Sequence, residues 1–252
     1  MASHTEVRTQ RNALVWAIVA ILFVQKVVPF GSLILYPFTL LGTWVHEMGH
    51  GITSLLVGGT FDRLYIFANA SGLAYTAVAP GWRHGLVSLG GLLGPPIVGA
   101  LVLLLARGPR RARIVLFALA GALALSLLVW VRSVTGWISM PLVTIGIGLV
   151  AWKAAPARRL FVAQLVGALL ALDTVSGLDY LFRENVFVDG RDRASDIANV
   201  ATALGGHYLV WGFLVAGVSL AMVGAAMWVA LRKAQTSTTA SASSAAGRAP
   251  RR

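Results

Sequence analysis

Two histidines and a glutamate carry the clearest chemistry in this sequence: His46 and His50, four residues apart, with Glu47 directly after the first. On a helix, positions i and i+4 share a face, so both imidazoles can reach one metal ion. A carboxylate one residue on stands where a general base for water at that ion would stand. The surroundings sharpen this reading. From Leu33 to Gly59 the chain reads LILYPFTLLGTWVHEMGHGITSLLVGG, and these three are its only His, Lys, Arg, Asp or Glu side chains. Ionisable groups in so apolar a stretch are expensive and, as a rule, functional. The chain has five histidines and three glutamates, so abundance does not explain the pattern. The plain alternative is a pair of neutral histidines hydrogen-bonded across helices beside a protonated Glu47, which buries polar groups at a cost and gives them no task.

Catalytic zinc takes three protein ligands and keeps one position open. The chain has no cysteine, which removes disulfides, thiolate ligands and cysteine nucleophiles together. The third ligand must then be a carboxylate or one of His4, His84 and His207. His4 lies in a polar lead, while His84 and His207 fall at segment ends, where an interfacial histidine is the ordinary reading. Three aspartates compete. Asp173 lies thirteen residues after Leu160, much as His46 lies thirteen after Leu33. Asp179 sits nearer the end of the same segment. Asp196 follows Ser195 and opens an apolar-periodic stretch, Ile197 to Ala201, where its ordinary role is a helix N-cap or first-turn acid. Gly49 and Gly51, either side of His50, would let another backbone or a substrate approach closely.

The elements that must position these groups belong in a bilayer. The chain is 57% hydrophobic and 12% charged, with a mean hydropathy of +0.76. Apolar runs recur at Ala13–Val28, Leu33–Val57, Leu86–Ala106, Ile114–Val131, Ile138–Trp152, Leu160–Tyr180 and Tyr208–Leu231. About 20 helical residues cross a hydrocarbon core of roughly 30 Å. The expected fold is therefore an all-α polytopic membrane protein of six or seven transmembrane helices. The first run lacks a small-residue cleavage site after it and is read as a retained span. The net charge of +12 does not point to nucleic acid, because the basic residues flank apolar runs. Arg107, Arg110, Arg111 and Arg113 lie in one turn, Lys153, Arg158 and Arg159 in another, and Arg232 and Lys233 after the last run. That is the footprint of cytoplasmic loops. With seven spans it puts the N-terminus outside and the C-terminus inside, against which Arg8 and Arg11 stand.

Residues 1–12 read as a polar lead, 13–233 as a transmembrane metallopeptidase domain, and 234–252 as a disordered Ser/Thr/Ala tail too poor in apolar surface to fold. Two connections are longer than turns. In Gly58–Gly85, aromatic and β-branched residues flank Asn69-Ala-Ser-Gly72, the pattern of a short β-hairpin after the metal helix. The second, Leu181–Gly206, holds Glu184, Asp189, Asp192 and Asp196. With every run spanning, both lie on one side of the membrane and can converge on one site.

The motif His46-Glu47-Met48-Gly49-His50-Gly51, followed by Val57-Gly58-Gly59, resembles the site-2 protease family of intramembrane zinc metallopeptidases. The chain is most similar to the small multi-pass branch lacking a PDZ domain. It shares the Asn69-Ala-Ser-Gly72 turn, the glycine-rich Gly90-Gly91-Leu-Leu-Gly94, the helix end Ser176-Gly-Leu-Asp179 and the Ser195-Asp196 start. The Asp-Gly motif of better-known members is absent near the candidate aspartates. The resemblance covers roughly residues 33–215. It implies one zinc per chain, Glu47 as general base, and a third ligand from a later helix: Asp196, which starts a helix after a loop, with Asp179 as the alternative. At the hairpin turn, Asn69 is in a place to hold a substrate backbone or carbonyl oxygen as a substrate-binding residue, though Asn in a turn is commonly just a turn former. The expected activity is hydrolysis of peptide bonds in membrane-embedded protein substrates, within the lipid bilayer of a multi-pass cell-membrane protein. The Ala- and Arg-rich composition suggests a bacterial source. No nucleic-acid partner is expected, and an unidentified membrane partner is compatible with the sequence. The rival readings are a non-catalytic membrane scaffold and another zinc-dependent membrane hydrolase keeping the motif.

Overall fold

The computed structural model describes residues 12–246 except 14, 18, 22, 25, 26, 177, 178 and 189. Among the described residues, seven α-helices follow Phe30: α1 (Gly31–Leu56), α2 (Trp82–Leu105), α3 (Pro109–Val129), α4 (Val134–Lys153), α5 (Pro156–Ser176), α6 (Asp196–Leu204) and α7 (Tyr208–Ala246). The described residues between 12 and 24 are helical too, and Ala13, Ala17 and Ile21 among them are buried. Two antiparallel hairpins interrupt the helices: β1 (Thr60–Ile66) with β2 (Gly72–Ala77), and β3 (Asn185–Val188) with β4 (Arg191–Ala194).

Among the described residues, four helical stretches are long and apolar enough to cross a bilayer: Trp82–Leu105, Pro109–Val129, Val134–Lys153 and Tyr208–Val229. The other expected spans are helical as well. α1, however, carries His46, Glu47 and His50, and these groups dilute its hydropathy. Helices also start earlier than the apolar runs: Trp82 against Leu86, Val134 against Ile138, Pro156 against Leu160. First turns tolerate polar residues and proline, because their N–H groups have no intrahelical partner. α5 is described as far as Ser176, and Tyr180, the expected end of that span, instead opens a 3-10 turn, Tyr180–Phe182. In the C-terminal segment the helical backbone of α7 continues through residues 234–246, where composition alone predicts no folded structure. Extending an existing helix needs no new nucleus, and alanine is its best extender. The polar lead before residue 12, Asp189 and residues 247–252 lie outside the described residues.

The core is built on α1 and α2. Leu40, Leu41, Trp44 and Val45 of α1 are buried, and the Trp44 indole N–H donates to Ser126 Oγ of α3 at 2.8 Å. The two helices approach so closely that a Cβ on Gly49 would lie 2.2 Å from the Gly90 carbonyl oxygen. α5 backs α2 in the same way at Gly99, where a Cβ would meet the Ala171 backbone nitrogen at 2.6 Å. Buried Gln164 of α5 donates from Nε2 to the carbonyl of Ala106, just past the end of α2. Outward, large apolar side chains stay exposed on α3 and α4 (Ile114, Leu128, Val134, Leu142), as a lipid-facing surface requires.

The expected hairpin is present, and its start is set by the end of α1. Gly59 N–H donates to the Ser54 carbonyl (2.8 Å) and Gly58 N–H to the Leu55 carbonyl (3.2 Å), with Gly58 at φ +80°. This is the paired 6→1 and 5→2 closure for which glycine is favoured. β1 then pairs on both sides. β2 lies along one edge, and on the other Leu64 N–H donates to Trp130 O while Arg132 N–H donates to Leu64 O. Phe61 stacks on Trp130 with ring centroids 4.9 Å apart.

Candidate metal centre

The site forms where α1, α2, β2 and the start of α6 meet. His46 Nε2 and His50 Nε2 are 3.1 Å apart, as i and i+4 on α1 allow. Asp196 Oδ2 lies 3.1 Å from the first and 3.4 Å from the second. Ligands at 2.0–2.1 Å around a tetrahedral ion are separated by about 3.3–3.4 Å, so this triangle has the spacing of one face of a zinc coordination sphere. The donor set, two imidazoles and a carboxylate with no thiolate, suits zinc equally well.

His50 and Asp196, two of these candidate ligands, are each aimed by neighbours. His50 Nδ1 lies 2.9 Å from the Val87 carbonyl, which can only accept, so Nδ1 carries a proton and Nε2 is turned toward the triad. α2 can supply that carbonyl only because Gly91 leaves room: a Cβ there would lie 2.2 Å from the His50 ring. Asp196 is placed by the residue before it. Ser195 caps α6, its Oγ accepting from Ala198 N–H at 3.2 Å, and its hydroxyl donates to the Arg183 carbonyl at 2.6 Å. The Tyr180 hydroxyl donates to Asp196 Oδ2 at 2.8 Å. Burial alone would raise the Asp196 carboxyl, but His50 and His46 beside it hold it well below the usual carboxylate range. Burial, reinforced by Asp196, pushes the Tyr180 phenol well above its ordinary value, so it stays a donor.

Glu47 is buried (6% exposed), and its Oε2 accepts the Ala74 N–H of β2 at 2.7 Å. The hairpin is pinned along α1 at two more points: Thr43 Oγ1 donates to the Ala70 carbonyl and the Tyr36 hydroxyl to the Ala68 carbonyl. Asn69 is exposed at the tip, where its Oδ1 accepts from Ser71 N–H (3.0 Å) and Ser71 Oγ (2.7 Å). In this structure its side chain closes the turn.

Of the three aspartates, Asp196 joins the histidines. Asp179 is 67% exposed and pairs with Arg183 at 2.7 Å. The side chain of Asp173 lies outside the described residues, as do His4 and the Gly-Leu of the Ser176–Asp179 motif. His84 is exposed, and His207 is exposed with its Nδ1 accepting Leu209 N–H at the start of α7. Tyr180, Ser195 and the Val87 carbonyl were not singled out as site groups by the sequence. A tyrosine at the end of an apolar run reads as an interfacial aromatic, and a backbone carbonyl leaves no signature.

No curated protein and no solved structure matches this chain. A family model described as Peptidase M50B-like matches residues 13–226, which include both histidines, Glu47 and Asp196. The chain belongs to the M50B-like peptidases, within the site-2 protease family that its motifs resemble.

Proposed function

We propose that the protein is an intramembrane zinc metalloprotease that hydrolyses peptide bonds of membrane-embedded substrates, with His46, His50 and Asp196 as ligands and Glu47 as general base. The single observation that carries this reading is the ligand triangle beside a buried Glu47, closed by residues 150 positions apart. When bound, zinc acidifies water to a pKa of about 7 and polarises a carbonyl oxygen. Glu47 takes the proton from water and passes it to the leaving amine. The Ala74 N–H holds that carboxylate in place. A helical peptide must unwind before it can be cut, and β2 runs along α1 beside Glu47. An extended segment pairing with this strand would carry its carbonyls past the triad. Asn69, which shapes the tip of the hairpin, is proposed to contact that segment.

The matched residues fall inside 13–233, which we take as the peptidase unit, and the helices bearing the site complete a bundle of six or seven spans in the cell membrane. The experiment compares detergent-purified wild type with Glu47→Gln, Asp196→Ala and Asp179→Ala, measuring zinc by mass spectrometry and cleavage of a membrane-embedded test substrate. Wild type and Glu47→Gln should each hold about one zinc, while Glu47→Gln loses cleavage by on the order of 10²–10⁴-fold. Asp196→Ala should lose zinc and Asp179→Ala should keep it. Stoichiometric zinc in Asp196→Ala sinks the ligand assignment, and a metal-free wild type favours a scaffold.

A further inference from the structure

Tyr180 has no part in the chemistry assigned above, yet its hydroxyl sits on the oxygen through which Asp196 meets the histidines. The phenol donates to Asp196 Oδ2 at 2.8 Å, and the same oxygen faces His46 Nε2 at 3.1 Å and His50 Nε2 at 3.4 Å. The tyrosine ring stands edge-on to His46, with centroids 6.3 Å apart. A carboxylate free to swing can present either oxygen, or both, to a metal. A donor fixed on one oxygen removes that freedom.

The chain ties this donor to its acceptor. The 3-10 turn Tyr180–Phe182 ends with Arg183 N–H donating to the Tyr180 carbonyl at 3.2 Å. Ser195 reaches back to this segment twice. Its N–H donates to the Glu184 carbonyl at 2.9 Å and its hydroxyl to the Arg183 carbonyl at 2.6 Å. The residue preceding Asp196 is thus bonded to residues three and four beyond Tyr180. The β3–β4 hairpin is the closed loop between them, with Asn185 paired to Ala194 at its base. Two groups sixteen residues apart are thereby delivered together by a local device.

We propose that Tyr180 is a positioning residue of the metal centre, whose O–H holds Asp196 as a one-oxygen ligand. This rests on the zinc reading above. Outer-shell partners of this kind typically contribute about 10–100-fold in metal affinity. The test titrates full-length wild type and Tyr180→Phe with zinc against a chromophoric chelator, and records the visible spectrum of each protein loaded with cobalt(II). Tyr180→Phe should remain folded by circular dichroism, bind zinc about 10–100-fold more weakly and show displaced cobalt bands. A tyrosine that only packs would lower the melting temperature and leave both metal readouts unchanged, and that result overturns the inference. Zinc-binding wild type beside a Tyr180→Phe of equal affinity overturns it alone. Wild type that takes up neither metal overturns the zinc reading, and this inference with it.

Discussion

At the scale of single residues, the absence of a side chain at Gly72 is as consequential as the presence of one at Glu47. A Cβ at Gly72 would lie 2.6 Å from Glu47 Cγ, 2.7 Å from Oε1 and 2.8 Å from Thr43 Cγ2. Glu47 is buried and held by Ala74 N–H, so a methyl group there must displace the carboxylate. Gly72→Ala should therefore keep zinc, because none of the three proposed ligands is touched, and lose cleavage by on the order of 10²-fold, the usual cost of misplacing a catalytic group by about an ångström. Zinc content and kcat measured on one preparation check this, and full activity in the variant would remove Glu47 from the role of base. Much at this scale was legible beforehand. His46, Glu47 and His50 announce themselves by type, spacing and apolar setting. Asp196 was one of three open aspartates until the Ser-Asp helix start favoured it. Tyr180 gave no sign, because its partner is made by a turn and a hairpin that no periodicity reveals.

At the scale of elements, the seam between α1 and α2 positions the site. Gly49, Gly90, Gly91 and Gly94 let the backbones meet, and only that approach brings the Val87 carbonyl to His50 Nδ1. The Gly90-x-x-x-Gly94 spacing supports close helix packing, but spacing does not name the partner helix, which the fold supplies as α1. Gly91→Ala would set a methyl 2.2 Å from His50 Cε1 and Nε2. Overpacking of this kind costs about 1–3 kcal/mol, and here the ring that must move belongs to a proposed ligand. The variant should lose both thermal stability and zinc affinity. Gly146→Ala on α4, where a Cβ meets nothing within 4 Å, should change neither. Chelator competition and melting curves on the two variants separate a seam that aims His50 from one that merely packs. The β3–β4 hairpin was the element least visible in the sequence. Arg191-Asp192-Arg193 offers no apolar face to alternate, and the strands are held by pairing with each other, with Ser195 closing the loop on Glu184 just before β3.

Across the whole molecule, the two ends differ in charge and in task. The α1–α2 and α5–α6 connections, which carry the two hairpins and lead into Asp196, belong to one end, from which the β1–β2 tip reaches back along α1 as far as Tyr36. At the other, the α2–α3 and α4–α5 turns carry Arg107, Arg110, Arg111, Lys153, Arg158 and Arg159 with no acidic residue among them. Between Asp62 on β1 and Ala155 in the α4–α5 turn lie α2, α3 and α4, all three long and apolar enough to cross a bilayer. An odd number of crossings must put Asp62 and Ala155 on opposite faces. The 20 residues of α4 alone measure about 30 Å, the thickness of the hydrocarbon core. Because the chain contains no cysteine, single substitutions report without background. Asp62→Cys, at a side chain 70% exposed, and Ala155→Cys, also at an exposed position, should react with a membrane-impermeant maleimide from opposite sides. In intact cells one variant labels and the other labels only after lysis. Labelling of both from the same side would mean that one of these three helices does not cross. The site would then face the same compartment as the arginine-rich turns, and a substrate strand would have to reach β2 from that side.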